Sequence, residues 1–180
     1  MYTGEKVRLR AYRMEDAPKA QAYINEPEIK RLLGGAPFPL TLTDEEKFIA
    51  TISAQNSNTY SFAIETLTDS HYIGGCGLNR LDWKNRVSEI GIFIGDKSYW
   101  NQGYGTDALQ VLLHFVFEQL NMNKVSLQVL SFNERAQKVY HRLGFQVEGR
   151  LRQERYADGA YHDMIAMGLL REEYEEKKDL

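Results

Sequence analysis

Hydrophobic and polar positions alternate from Val7 to Tyr12, with Val7, Leu9 and Ala11 set against Arg8, Arg10 and Tyr12. A period of two predicts a strand. Over Met14–Asn25 the period lengthens, Ala17, Ala20 and Ile24 share one face, and a helix is expected. Pro27 and the run from Gly34 to Pro39 break that pattern, so residues 26–42 read as a short helical turn plus loop. Thr43-x-x-Glu46 has the form of a capping box and opens a helix to about Gln55. Thr59–Leu67, Tyr72–Asp82 and Val87–Ile94 then read as three strands joined by the turns Thr68–Ser70 and Trp83–Arg86, an antiparallel meander. A helix from Gly103 or Gly105 to about Leu120 leads into a Val/Leu-rich strand, Lys124–Leu130. Asn133–Leu143 is a helix stopped by Gly144, and Phe145–Tyr156 is a strand. Asp158-Gly159 signals a hairpin into a last strand, His162–Leu170. Arg171–Lys178 is a charged helix, expected to be a solvated end.

The order β-α-α-β-β-β-α-β-α-β-β predicts an α/β (α+β) chain with a mixed, mostly antiparallel central sheet of about seven strands flanked by helices. The strands on either side of the 103–120 helix should be parallel, because a helix connects them. No internal repeat, low-complexity tract or Pro/Gly-rich linker interrupts the chain, so residues 1–180 are expected to form a single domain.

Composition narrows the function classes. At 43% hydrophobic and 26% charged the chain is ordinarily globular, and a net charge of −3 offers no global attraction to nucleic acid or anionic membrane. Neither is expected as a partner. The lone cysteine, Cys76, excludes an internal disulfide and agrees with a reducing compartment. The N-terminus is charged from Glu5 onward and no apolar run reaches the ~20 residues of a membrane span, so a cytoplasmic protein is expected.

Chemistry first shows at Gly103-Tyr104-Gly105-Thr106, where a strand, a loop and a glycine turn lead into a helix. Successive backbone N–H groups in such a turn, with the free donors of the first helical turn, can cradle a diphosphate. The same glycines could simply cap a core helix. Gly103-x-Gly105-x-x-Ala108 also matches the dinucleotide fingerprint, which requires a strand running directly into the first glycine and an acid near the end of the next strand. Here a loop separates Gly95 from Gly103, and Val125–Ser131 contains no acid, so the NAD reading is rejected.

Together these segments resemble the GNAT acetyltransferase superfamily over nearly the whole chain. Ser88-Glu89-Ile90-Gly91-Ile92-Phe93-Ile94 is similar to the family's fourth strand, and Trp100–Gly105 to its pyrophosphate turn. Asn133-Glu134-Arg135-Ala136, Tyr140 and Gly144-Phe145 resemble its N-x-R-A…Y…G-F motif. The ending Met167–Tyr174 is similar to the branch that acetylates N-terminal amines of ribosomal proteins and to related polyamine acetyltransferases. The family turn usually carries Arg or Gln where this chain has Trp100, and often Gly where it has Asn101. Backbone amides make the phosphate contacts, so binding is expected to survive.

The resemblance implies direct attack of a primary amine on the thioester of acetyl-CoA in a ternary complex. Tyr140 is the implied acid for the leaving thiolate; Ala136, Tyr140 and Leu143 share a helical face, so a core residue is the alternative. Glu89 is the implied base, directly or through water, with a salt bridge to Arg80 or Arg86 as the alternative. Ile92, Phe93 and Ile94 should pair with the pantetheine arm like an added strand, and Gln102, Gly103, Tyr104, Gly105 and Thr106 should hold the pyrophosphate. Asn133 should cap its helix and touch the arm. Arg135, Lys138 and Arg142 could meet the 3′-phosphate or form a solvated basic face. By family analogy residues 26–42, Trp83 and the Tyr156–Tyr161 turn wall the acceptor site, and Glu26, Glu28, Glu45 and Glu46 are candidates to receive a cationic amine. No metal is expected, because His71, His141 and His162 lack ligand-spaced partners and His114 belongs to a polar stripe with Gln110 and Glu118. Cys76 is expected to be buried packing. The acceptor is a small molecule or a protein N-terminus, a homodimer is compatible with the sequence, and a non-catalytic acyl-CoA-binding or regulatory module on the same fold is the competing reading.

Overall fold

The computed structural model describes residues 2–35, 37–52 and 58–178. Its strands are β1 (Tyr2–Thr3), β2 (Val7–Arg10), β3 (Tyr60–Thr66), β4 (Tyr72–Asp82), β5 (Val87–Ile94), β6 (Lys124–Leu130), β7 (Gln146–Ala157) and β8 (Ala160–Leu170). The helices are α1 (Ala17–Asn25), α2 (Pro27–Leu33), α3 (Leu42–Ile52), α4 (Tyr104–His114), α5 (Glu134–Leu143) and α6 (Arg171–Lys178). One eight-stranded sheet runs in the order β1-β2-β3-β4-β5-β6-β8-β7, and β5–β6 is its parallel pair. The strand beyond the expected seven is β1, whose two residues are too short to show a period.

Local chemistry accounts for the other differences. The capping box lies two residues earlier than the sequence suggests: the Thr41 hydroxyl accepts from the Asp44 N–H at 3.2 Å while the Asp44 carboxylate accepts from the Thr41 N–H at 3.0 Å. The expected end of α3 at Gln55 lies outside the described residues. In the 26–42 segment, Glu26 caps a seven-residue helix, its carboxylate accepting from the Ile29 N–H at 3.0 Å, and Gly34 ends it at φ 64°. After His114 the α4 helix widens into a π-type turn, Phe115–Gln119, which brings both Val116 and Phe117 into the core. The last helix is no free end. Tyr174 stacks on Phe117 at 4.6 Å between ring centroids, and Arg171 donates to the carbonyls of Phe117 and Met122.

Side-chain alternation divides the sheet into two faces. On one, Val7, Leu9, Phe62, Ile64, Ile73 and Ile90 pack against Leu109, Leu112 and Leu113 of α4, and Tyr140 of α5 joins the same cluster. Each buried leucine there contributes roughly 1.5–3 kcal/mol. On the other face Tyr12, Ala63 and Tyr72 meet Ala17, Ala20 and Ile49 of α1 and α3. Arg10, on the nominally polar side of β2, is buried there because its guanidinium bonds Asp16 at 2.7 and 2.8 Å and also reaches Glu65. Gln110, His114 and Glu118 face outward as the stripe predicts, and Cys76 is buried, with its thiol pushed up by burial. No helix among the described residues is long and apolar enough to cross a membrane.

Candidate active site

The site begins where β5 and β6 part. They pair only from Val87–Glu89 to Lys124–Ser126, although both strands continue. Beyond that point Ile90–Ile94 keeps its bonds to β4, and Leu127–Leu130 keeps its own to β8. The facing edges are left open to an extended ligand that can pair like a strand. A register shift in β4 between Leu78 and Arg80 lies opposite the parting point, and a bulge there adds bend and twist to the β4–β5 ribbon. The resulting cleft is about 820 Å³.

On the α4/α5 face the cleft ends at the turn before α4, whose free N–H groups could hold an anion. Asn101 and Gly103 adopt left-handed conformations at φ 58° and 87°, and asparagine is the residue besides glycine that tolerates this, which explains the Asn101 departure. Gly103 is the N-cap of α4 and no side chain caps the helix, so its first N–H groups remain without an intrahelical partner. Gly103, Gly105 and Thr106 line the cleft, while Tyr104 turns away to meet Tyr99 edge-on at 4.8 Å. Gln102 also lies outside the lining, its side-chain amide donating to the Ser98 carbonyl. The start of α4 is anchored by Asp107, a residue the sequence reading passed over. Its buried carboxylate accepts the N–H groups of Glu5, Lys6 and Val7 at 2.9, 2.8 and 2.9 Å.

Trp100 has two tasks. Its indole N–H donates to the Ile94 carbonyl at 2.8 Å, so that acceptor at the open edge is taken by the protein itself. Its ring also carries the Arg135 guanidinium, 3.6 Å from the centroid, a close cation–π stack. Burial pulls the Arg135 pKa below its ordinary value, with nearby Glu28 opposing, and an arginine stays charged regardless. The stack thus sets a positive charge from α5 beside position 100. Asn133 lines the cleft and caps α5 at once, its side chain accepting from the Ala136 N–H at 3.2 Å.

Glu89 lies on the opposite face. Gly91 shares that face with it, and a Cβ at Gly91 would stand 2.9 Å from the Asn79 amide, which places Asn79 beside them. Glu89 lines the cleft without an ion-pair partner among the described residues, and the salt bridge weighed from sequence does not form: Arg86 donates instead to two oxygens of Asn121, at 2.7 Å each. Tyr140 lines the cleft from the α5 side. The residue is 7% exposed and its ring meets Phe145 edge-on at 5.8 Å, yet its hydroxyl has no hydrogen-bond partner among the described residues. Burial pushes its pKa up to about 12. A carboxylate and a neutral phenol thus border one gap from opposite sides of the sheet.

Of the expected acceptor walls, α2 lines this cleft among the described residues, through Ile29, Leu32 and Leu33. Trp83, Tyr156 and Tyr161 are exposed and outside the cleft, and Glu45 and Glu46 do not line it either. Gln128, Met164 and Arg155 do, and no local pattern marks them in the sequence.

Comparison with known proteins agrees with this geometry. The family model described as "Acetyltransferase (GNAT) domain" matches residues 6–146. The uncharacterized N-acetyltransferase p20 of Bacillus licheniformis is 32% identical over 177 residues, covering 97% of each chain. The ribosomal-protein-serine acetyltransferase of Escherichia coli K12 is 25% identical over 140 residues, 78% of each chain. Among solved structures, spermidine N-acetyltransferase from Vibrio cholerae, in complex with CoA and spermine, superposes with a TM-score of 0.85 at 24% identity, over 93% of this chain and 97% of that one. The chain belongs to the GNAT family and is an acetyl-CoA-dependent N-acetyltransferase.

Proposed function

We propose that Glu89 and Tyr140 are the base and acid of acetyl transfer to a primary amine, in a single acetyltransferase domain spanning residues 1–180. The observation that carries this is their placement on opposite faces of the sheet at the gap between β5 and β6. The amine arrives on the Glu89 face, where the carboxylate takes its proton directly or through a water. An alkyl amine, with a pKa of about 10, is otherwise protonated at neutral pH. The amine nitrogen bonds the thioester carbonyl carbon of acetyl-CoA, the C–S bond breaks, and the sulfur's charge develops on the Tyr140 face. The open edge of β5 at Ile92–Ile94 suits the pantetheine arm, and the amides of Gly103–Thr106 suit the pyrophosphate.

Thiol release from acetyl-CoA with a panel of amines tests the reading. Binding of acetyl-CoA with no amine ever acetylated would make the chain a non-catalytic module instead. Glu89→Gln should lower kcat by about 10²-fold. Its residual rate should track the free-amine fraction, rising about tenfold per pH unit below the amine pKa, where the wild type climbs less steeply. An unchanged profile would remove Glu89 from the mechanism. Arg135→Ala should raise KM for acetyl-CoA by about tenfold or more, since a charge-assisted hydrogen bond contributes about 1.5–3 kcal/mol, while kcat changes little. Unaltered KM would return Arg135 to the solvated face first considered for it.

A further inference from the structure

The acids around the acceptor face are already engaged, and its unpaired cation disfavours a polyamine. Two acids that could greet a second ammonium, Glu26 and Glu28, are both held by Lys97 at 2.6 and 2.7 Å. Of the two acids that line the cleft, Glu89 has the proton transfer to perform, and Glu134 lies on α5 within 3.8 Å of Lys138. The cation at this rim is Arg155. A register shift in β7 between Leu151 and Arg155, with Gln153 at φ 54°, sets Arg155 opposite His162. That puts it on the side of the sheet shared by Met164 and Leu130. Its Nε would lie 3.9 Å from a Cβ at Gly34, with Leu130 Cδ1 at 3.7 Å from the same point. The neighbouring Arg31 is neutralised by Asp158 and stacked over Phe132 at 4.6 Å. Arg155 has no ion-pair partner among the described residues.

Register supplies a spacing. Glu89 stands level with Ser126, and Leu130 lies four residues farther along β6. Arg155 itself stands two residues beyond that level, opposite His162, and its side chain reaches back to Leu130. At about 3.3 Å per residue Glu89 and the guanidinium are therefore roughly 13 Å apart, less about one hydrogen-bond length at the arginine for the ligand between them. An anionic group on the order of 10 Å from the reacting amine corresponds to the third residue of an extended peptide. A free amino acid is too short to span it.

We infer that the acceptor is a peptide N-terminus with an acidic residue at about the third position, read by Arg155. The apolar stretch formed by Ile29, Leu32, Leu33 and Met164 receives the intervening chain. This inference rests on the acetyl transfer proposed above. Its test is thiol release with the pentapeptides Ala-Ala-Glu-Ala-Ala, Ala-Ala-Gln-Ala-Ala and Ala-Ala-Lys-Ala-Ala, with β-alanine and spermidine alongside. The glutamate peptide should exceed the lysine peptide by at least about tenfold in kcat/KM, mainly through KM, with spermidine and β-alanine below both. Arg155→Glu should bring the glutamate-to-lysine ratio below one. Because each enzyme supplies its own reference, a general loss of activity leaves that ratio readable. Equal use of the peptides, preference for spermidine or β-alanine, or an unmoved ratio in Arg155→Glu would overturn the inference and leave acetyl transfer standing. Turnover of none of these acceptors would overturn this inference, and acetyl transfer would fall with it only if the wider amine panel above also gave no product.

Discussion

Tyr140→Phe is expected to lower kcat by about 10²-fold or more while acetyl-CoA affinity stays within about threefold. The substitution removes one oxygen and leaves the ring, which packs edge-on against Phe145 in the main core cluster. Fold and thermal stability should therefore hardly change, because no protein group among the described residues bonds the hydroxyl that is lost. What disappears is a donor at the gap. Burial pushes the phenol up to about 12, so it stays neutral across the working pH range and is a weaker acid than an ordinary tyrosine. Against a thiolate of pKa about 8.5 it acts first as a hydrogen-bond donor, and gives up its proton only as charge builds on sulfur. It follows that kcat should show no descending limb from Tyr140 between about pH 8 and 10. Measuring kcat and acetyl-CoA binding separately checks the point, and an unchanged kcat would leave Tyr140 a core residue only.

The sequence carried the parts of this site that depend on neighbours along the chain. A glycine turn before a helix, Asn133 three residues ahead of the Ala136 N–H it caps, and alternation placing Glu89 opposite Ile90 are all local, and each is found as expected. Groups brought together across the chain were not legible. Arg155 reaches the rim through a register shift in a long hairpin, and Lys97 engages both Glu26 and Glu28 from some seventy residues away. Arg135 shows both sides of this. It belongs to a recognisable helical motif, but only the fold brings its charge onto Trp100, beside a turn that has no basic residue at that position. The parting of β5 from β6 likewise cannot be read from either strand alone, since both remain largely apolar beyond it.

Asp107 offers the sharpest test of how the fold holds the site, and its removal is expected to be the largest stability change. An acid on the buried stripe of an apolar helix is the signal the sequence held, because an uncompensated carboxylate cannot stay there. Compensation comes from three consecutive N–H groups: Glu5 bonds Oδ1, and Lys6 and Val7 bond Oδ2. Gly4 is required by the same contact, since a Cβ there would stand 2.5 Å from both carboxylate oxygens. Asp107→Ala leaves the three donors unpaired, the Val7 N–H buried and the other two partly so, and at about 1–3 kcal/mol for a donor that water cannot reach a loss of about 3 kcal/mol is expected. For a chain of this size that is a fall of roughly 6–12 °C in Tm. Asp107→Asn keeps one acceptor oxygen, which can serve Lys6 and Val7 together and must abandon Glu5, so its Tm should fall between those of the wild type and Asp107→Ala. The same carboxylate fixes the first turn of α4 against β2, and the cradle N–H groups belong to that turn. Acetyl-CoA binding should therefore weaken in the same order as stability, even at temperatures where both variants remain folded. Equal Tm values for the three proteins would show that the clamp contributes nothing, and a lowered Tm with unaltered acetyl-CoA affinity would separate the anchoring of β2 from the shaping of the anion site.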